Sequence, residues 1–102
     1  MYVEWDAFPR IDFVDCRFED LDLLGMVFGS CNFENCKFND VSLRKCEFSN
    51  CNMKNCQMVK SELTRAEFRD TSFRNCEFLK SDFQASDFRR CELSEIKFQN
   101  SN

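Results

Sequence analysis

The chain has 102 residues, with 14 Lys and Arg against 18 Asp and Glu for a formal net charge of −4, and it contains no His. That length supports a single domain, the acidic balance excludes a basic nucleic-acid-binding surface, and the missing His removes the commonest general base and metal ligand. What composition leaves to explain is thirteen Phe and eight Cys beside only two Gly and one Pro.

The chain opens with Met1-Tyr2-Val3-Glu4-Trp5, which lacks the basic and apolar regions of a secretory signal. No apolar run approaches the roughly 18 residues of a membrane span. The expectation is a cytoplasmic protein with neither a membrane nor a nucleic acid as partner. Tyr2, Val3 and Trp5 carry enough apolar surface to cover the start of a fold, so residues 1–5 read as an N-terminal cap segment.

From Asp6 to Asn100 the chain divides into nineteen consecutive pentads with no insertion or deletion. All thirteen Phe stand third in their pentad, a coincidence with a chance below roughly one in a hundred million, so the pattern is a repeat. The remaining third positions are Leu23, Leu43, Met53, Met58, Leu63 and Leu93, and no polar residue interrupts the series. All eight Cys stand first, at Cys16, Cys31, Cys36, Cys46, Cys51, Cys56, Cys76 and Cys91, beside small or apolar residues such as Ile11, Val41, Ala66, Thr71 and Ser81. Charged and amide residues dominate the other three positions.

Two inward positions in every five fit neither a helix nor an alternating strand. The chain must turn once per pentad. Four turns close a square coil of twenty residues, and coils stacked at about 4.8 Å place residue i beneath i+20. The interior columns are then Phe8, Phe28, Phe48, Phe68 and Phe88; Phe13, Phe33 and Phe73; Phe18, Phe38 and Phe78; and Cys16, Cys36, Cys56 and Cys76, closed by Ile96. The fold class predicted is all-β, a β-solenoid built over residues 6–100.

Ten pentads end in a residue suited to positive φ: Asp15, Asp20, Gly25, Asn35, Asp40, Asn50, Asn55, Asp70, Asn75 and Asn100. These read as type II corners. Arg10, Lys45, Lys60, Arg65, Lys80 and Arg90 fill the same place elsewhere, and a different turn type is expected there.

The pentads Cys36-Lys37-Phe38-Asn39-Asp40, Ser81-Asp82-Phe83-Gln84-Ala85 and Ser86-Asp87-Phe88-Arg89-Arg90 resemble those of the pentapeptide-repeat family. The resemblance implies a right-handed quadrilateral β-helix of about five coils, each of four pentads. The function expected is that of a non-catalytic rod working as a protein-interaction or scaffold module, with no specific role encoded. The best-understood members of that family mimic duplex DNA and bind type II topoisomerases such as DNA gyrase, conferring resistance to quinolones or toxins.

A mimic of duplex DNA presents continuous negative potential. Residues 4–34 carry a net −6 while residues 35–102 carry +2, so the candidate acidic surface is Asp12, Asp15, Glu19, Asp20, Asp22 and Glu34. At the other end Phe83, Phe88, Leu93 and Phe98 form an apolar end beside strand edges, the candidate site for a homodimer. The thiols read as small hydrophobes at inward corners. Parallel Cβ vectors oppose disulfides within a column, and a line of thiols offers no tetrahedral metal cage. No cofactor is expected, and with no His, no Gly-rich phosphate loop and no nucleophile–base motif, neither is catalysis.

Overall fold

Each pentad folds in one way: its second to fourth residues run extended, its fifth turns the chain, and its first re-enters the interior. The structure is a computed structural model and describes residues 7–101. The cap expected over residues 1–5 lies outside the described residues, as do the side chains of Ala7, Phe8 and Pro9.

The first coil carries β1 (Ala7–Pro9), β2 (Asp12–Val14) and β3 (Arg17–Glu19), and the second β4 (Val27–Gly29), β5 (Asn32–Glu34) and β6 (Lys37–Asn39). In the third are β7 (Glu47–Ser49), β8 (Asn52–Lys54) and β9 (Gln57–Val59), and in the fourth β10 (Glu67–Arg69), β11 (Ser72–Arg74) and β12 (Glu77–Leu79). The fifth has β13 (Asp87–Arg89), β14 (Glu92–Ser94) and β15 (Lys97–Gln99). They form three parallel sheets of five strands, ordered β1-β4-β7-β10-β13, β2-β5-β8-β11-β14 and β3-β6-β9-β12-β15. Register is i to i+20 throughout, as in Phe8↔Phe28, Phe28↔Phe48, Phe33↔Met53 and Phe38↔Met58. This is a four-sided β-solenoid.

The fourth side differs. Residues 21–25, 41–45, 61–65 and 81–85 pair only through single bridges, Asp22↔Ser42, Ser42↔Glu62 and Glu62↔Asp82. Here the corner closes on itself: Met26, Cys46, Ala66 and Ser86 donate their N–H to the carbonyls of Leu23, Leu43, Leu63 and Phe83 at 3.0–3.2 Å. The carboxylates of Asp22 and Asp82 accept from the Leu24 and Gln84 N–H groups inside two of these turns.

The corners correct the sequence expectation. Positive φ, from +49° to +74°, occurs at the fifth residue of every pentad, including Arg10, Lys45, Lys60, Arg65, Lys80 and Arg90. Neither residue type nor side separates the corners by φ. Lys45 and Arg65, expected in another turn type, sit in the same hydrogen-bonded turns as Gly25, and their own N–H groups donate to the next coil, to the Thr64 and Gln84 carbonyls, just as those of Asn35 and Asn55 donate to Lys54 and Arg74. The repeat imposes the left-handed residue on the whole series. Each non-Gly residue there carries a local penalty of about 1–2 kcal/mol, which Asn and Asp relieve best.

Packing follows the columns. Rings one coil apart stack nearly parallel: Phe28 on Phe48 at 4.7 Å, Phe48 on Phe68 at 4.9 Å and Phe68 on Phe88 at 4.7 Å. Phe13 lies 4.8 Å from Phe33, and Phe18 4.7 Å from Phe38. Neighbouring columns meet edge to face, as Phe28 with Phe33 and Phe73 with Phe78. Both geometries are favourable for the ring quadrupole. Met53 and Met58 replace Phe in the third coil, filling the gap with flexible thioethers.

Candidate functional site

The inward positions divide by depth along the axis. Phe28, Phe33, Phe38, Phe48, Phe68, Phe73, Phe78, Cys36, Cys56 and Cys76 are buried. Phe13, Phe18 and Cys16 in the first coil and Phe88 in the fifth are half-buried against that core. At the C-terminal end Phe83 is half-buried, while Leu93 and Phe98 keep 52% and 53% of their surface in solvent. Phe98 stacks on Phe78 at 5.2 Å and meets Phe83 edge-on at 5.7 Å, so three of the four residues of the candidate dimer end touch one aromatic surface or its column.

All eight cysteines carry thiols rather than disulfides. They do more than fill space. Cys36 Sγ donates to the Phe13 and Glu34 carbonyls at 3.2 and 3.4 Å, and Cys51 Sγ to those of Phe28 and Ser49 at 3.2 and 3.4 Å. Thr71 Oγ1 makes the same pair of bonds to Phe48 and Arg69 at 3.3 and 2.9 Å. The first position of the pentad therefore selects a small donor that satisfies inward carbonyls, which explains why Cys, Ser and Thr interchange there. Burial pushes the Cys46 and Cys51 thiols up to about 11. Cys56 is also raised, first by the hydrogen bond it shares with Cys76 and then by burial. Among the described residues no group of three or more His, Cys, Asp or Glu side chains is arranged to hold a metal ion.

The predicted acids are all exposed, but they are spread around the rod. Asp12 and Asp15 belong to the β2 pentad and Glu34 to β5 beside it, Glu19 and Asp20 lie a quarter-turn on at the end of the β3 pentad, and Asp22 is on the fourth side. They spread over three sides of the first two coils rather than forming a stripe. Along the face of the β2 sheet the outward fourth positions read Val14, Glu34, Lys54, Arg74 and Ser94, so the sign reverses at the third coil. That face holds two shallow depressions, one of about 440 Å³ edged by Asn52, Lys54, Ser72, Arg74 and Glu92, the other of about 300 Å³ edged by Asp12, Asn32, Glu34 and Lys54.

Sequence reasoning passed over what organises this face. Asn52 Nδ2 donates to Asn32 Oδ1 at 3.0 Å and Asn32 Nδ2 to Asp12 Oδ1 at 2.7 Å, a chain of side-chain hydrogen bonds across three coils. At the corner beside it Asn35 donates to Asp15 at 2.6 Å and Asn75 to Asn55 at 2.7 Å. On the next side Gln57 donates to Glu77 at 3.0 Å, and Arg90 pairs with Asp70 at 2.9 Å across the corner of the fifth coil. The signal was present as amide residues recurring at i and i+20.

The comparisons with known proteins follow the same repeat. The family model described as a pentapeptide repeat region matches residues 27–102. This chain belongs to the pentapeptide-repeat family. As a pentapeptide-repeat protein it is similar in fold to a trypsin-treated variant of QnrB1, a plasmid-mediated fluoroquinolone resistance protein, with a TM-score of 0.51 and 20% identity over 83% of this chain and 49% of that one. A second trypsin-treated QnrB1 variant gives a TM-score of 0.50 at 18% identity, over 85% of this chain and 53% of that one. The pentapeptide-repeat protein Rfr23 from the cyanobacterium Cyanothece 51142 is matched over 93% of this chain and 86% of that one, at a TM-score of 0.40 and 8% identity. The chain thus spans about half the length of the QnrB1 structures, and at these identities the likeness is one of fold. No curated protein sequence matches the chain. No helix among the described residues is long and apolar enough to cross a membrane.

Proposed function

We propose that this pentapeptide-repeat chain is a non-catalytic rod whose flat faces bind another protein. The observation that carries the reading is the amide chain Asn52–Asn32–Asp12, which holds outward side chains at fixed spacing before any partner arrives. Side chains already ordered lose little further entropy on docking, so a regular face binds at lower entropic expense than a flexible one. On the β2 sheet, Lys54 and Arg74 supply cations for partner carboxylates, and Asn32, Asn52 and Ser72 supply donors and acceptors for partner backbone. The thiols support residence in a reducing compartment, the cytoplasm. A photocrosslinker placed at Ser72 and, as control, at Ser42 on the fourth side tests the reading in cells of the source organism. Crosslinks to one defined protein from Ser72 alone are expected, and equal scatter from both positions would sink it.

A second reading draws on the exposed acids of the first two coils, Asp12, Asp15, Glu19, Asp20, Asp22 and Glu34: a mimic of duplex DNA that binds a type II topoisomerase. DNA gyrase supercoiling, run with and without a fluoroquinolone, separates the two. The absence of both inhibition and protection would eliminate the mimic. In either reading the end formed by Phe83, Phe88, Leu93 and Phe98 meets a second copy of the chain, and Phe98→Glu is expected to turn a dimer into a monomer in sedimentation.

A further inference from the structure

Four thiols, Cys16, Cys36, Cys56 and Cys76, occupy one corner in consecutive coils, each directly above the last. Their sulfurs are placed alike. Each lies 3.4–3.5 Å from the carbonyl oxygen two residues earlier, of Val14, Glu34, Lys54 and Arg74. Equivalent placement makes the sulfurs repeat with the coils, and the coil repeat measured on stacked rings is 4.7–4.9 Å. Two metal–sulfur bonds of about 2.3 Å set end to end span about 4.6 Å. We propose that adjacent thiols of this column bind a soft divalent cation of the mercury class in linear two-sulfur coordination, each ion held by two thiols from neighbouring coils, so that the four thiols take two ions.

The parallel Cβ vectors that oppose a disulfide favour this geometry, because each Cβ–S bond points across the axis while the S–metal–S line runs along it. Charge selects the cation. Two thiols lose two protons as the ion binds, giving a neutral bis-thiolate, whereas a monovalent ion would leave a net negative charge buried among carbonyl oxygens. Zinc, which requires four ligands in a tetrahedron, is not served by two sulfurs in line. Cys16 is half-exposed and gives entry at the first pair. Cys31 and Cys51 form one further stacked pair, their sulfurs 3.6 and 3.4 Å from the carbonyls of Gly29 and Ser49. Cys46, between Met26 and Ala66, and Cys91, above Thr71, have no stacked thiol and serve as internal controls.

Reduced protein titrated with mercuric chloride, followed by native mass spectrometry and mercury-edge X-ray absorption, tests this. Three ions per chain are expected, each displacing two protons and showing two sulfurs at about 2.3 Å. The double variant Cys36→Ser/Cys76→Ser separates the column into single thiols and is expected to retain one such ion. Its fold is secured by Ser61, Ser81 and Ser101, which donate to the equivalent carbonyls of Val59, Leu79 and Gln99. Cys46→Ser is expected to change nothing. An unchanged count in the double variant, one sulfur and one chloride around mercury in the wild type, bound species containing two chains, or zinc binding of equal strength would each overturn the proposal.

Discussion

The third and fourth coils and the fifth are written in the same pentad, yet they differ in how firmly they are held. Phe48 and Phe68 are buried with rings stacked on both sides, whereas Phe98 has one stacked neighbour and half its surface in water. The difference is positional. In a solenoid each coil gains stability from its intrinsic contacts and from interfaces with the coils on either side. An inner coil has two such interfaces among the described residues and the fifth has one.

The sharpest test of that contrast is to truncate the same residue in both places. Phe68→Ala is expected to lower unfolding free energy by about 3–5 kcal/mol and Phe98→Ala by less than half as much, read by chemical denaturation. Equal losses would break the comparison. Alkaline pH probes the inner coils alone. Cys46 and Cys51 stay protonated up to about 11 when folded but ionise near an ordinary thiol value of 9.0 when the chain opens. The unfolded chain releases protons first, so stability is intact below pH 9 and falls as pH rises from 9 to about 11. Thermal melts across that range are expected to decline, and Cys46→Ser to flatten the decline.

Next in size is the polar interior. Thr71→Val leaves the Phe48 and Arg69 carbonyls without the hydroxyl in a fully buried site, and an expected loss of about 1–3 kcal/mol follows. Ser101→Ala removes the same pair of bonds, to Phe78 and Gln99, where water replaces them, and the melt is expected to move much less. The smallest effect should ignore position altogether. Lys45 and Glu95 hold φ of 59° and 55° in inner and outer coils, and replacing either with Gly is expected to stabilise by about 0.5–1 kcal/mol, because the strain relieved is local to the backbone.

The architecture was legible because one period governs it: Phe and Cys never leave their phase, and the phase alone yields the columns, the register and the parallel sheets. Turn chemistry was less legible. Asn and Asp at the fifth position mark where positive φ is easiest, but the coil requires it at Lys45 and Arg65 as well, so residue preference underestimated the extent of the left-handed corner. The side that closes with hydrogen-bonded turns carries Leu23, Leu43 and Leu63 in place of Phe in three of its pentads but Phe83 in the fourth, so residue type at the third position marks it only in part. The thiols were read for volume and missed as donors, since a carbonyl 23 residues earlier becomes a neighbour only once the coil exists. Surface recognition was least legible. Nothing periodic dictates a partner, and the acids grouped at 12–34 in sequence proved to be spread over three sides of the rod.

The closed twenty-residue loop has a consequence for how such a molecule changes over generations. Because register runs from i to i+20 on every sheet, duplicating or deleting one loop's worth of sequence shifts every later residue by a whole loop and leaves each neighbour pair chemically like the last. Length is thereby uncoupled from cross-section. A gene encoding this pattern can lengthen its product as one adds rungs to a ladder, about 4.8 Å at a time, and match the reach of its target without redesigning the interior.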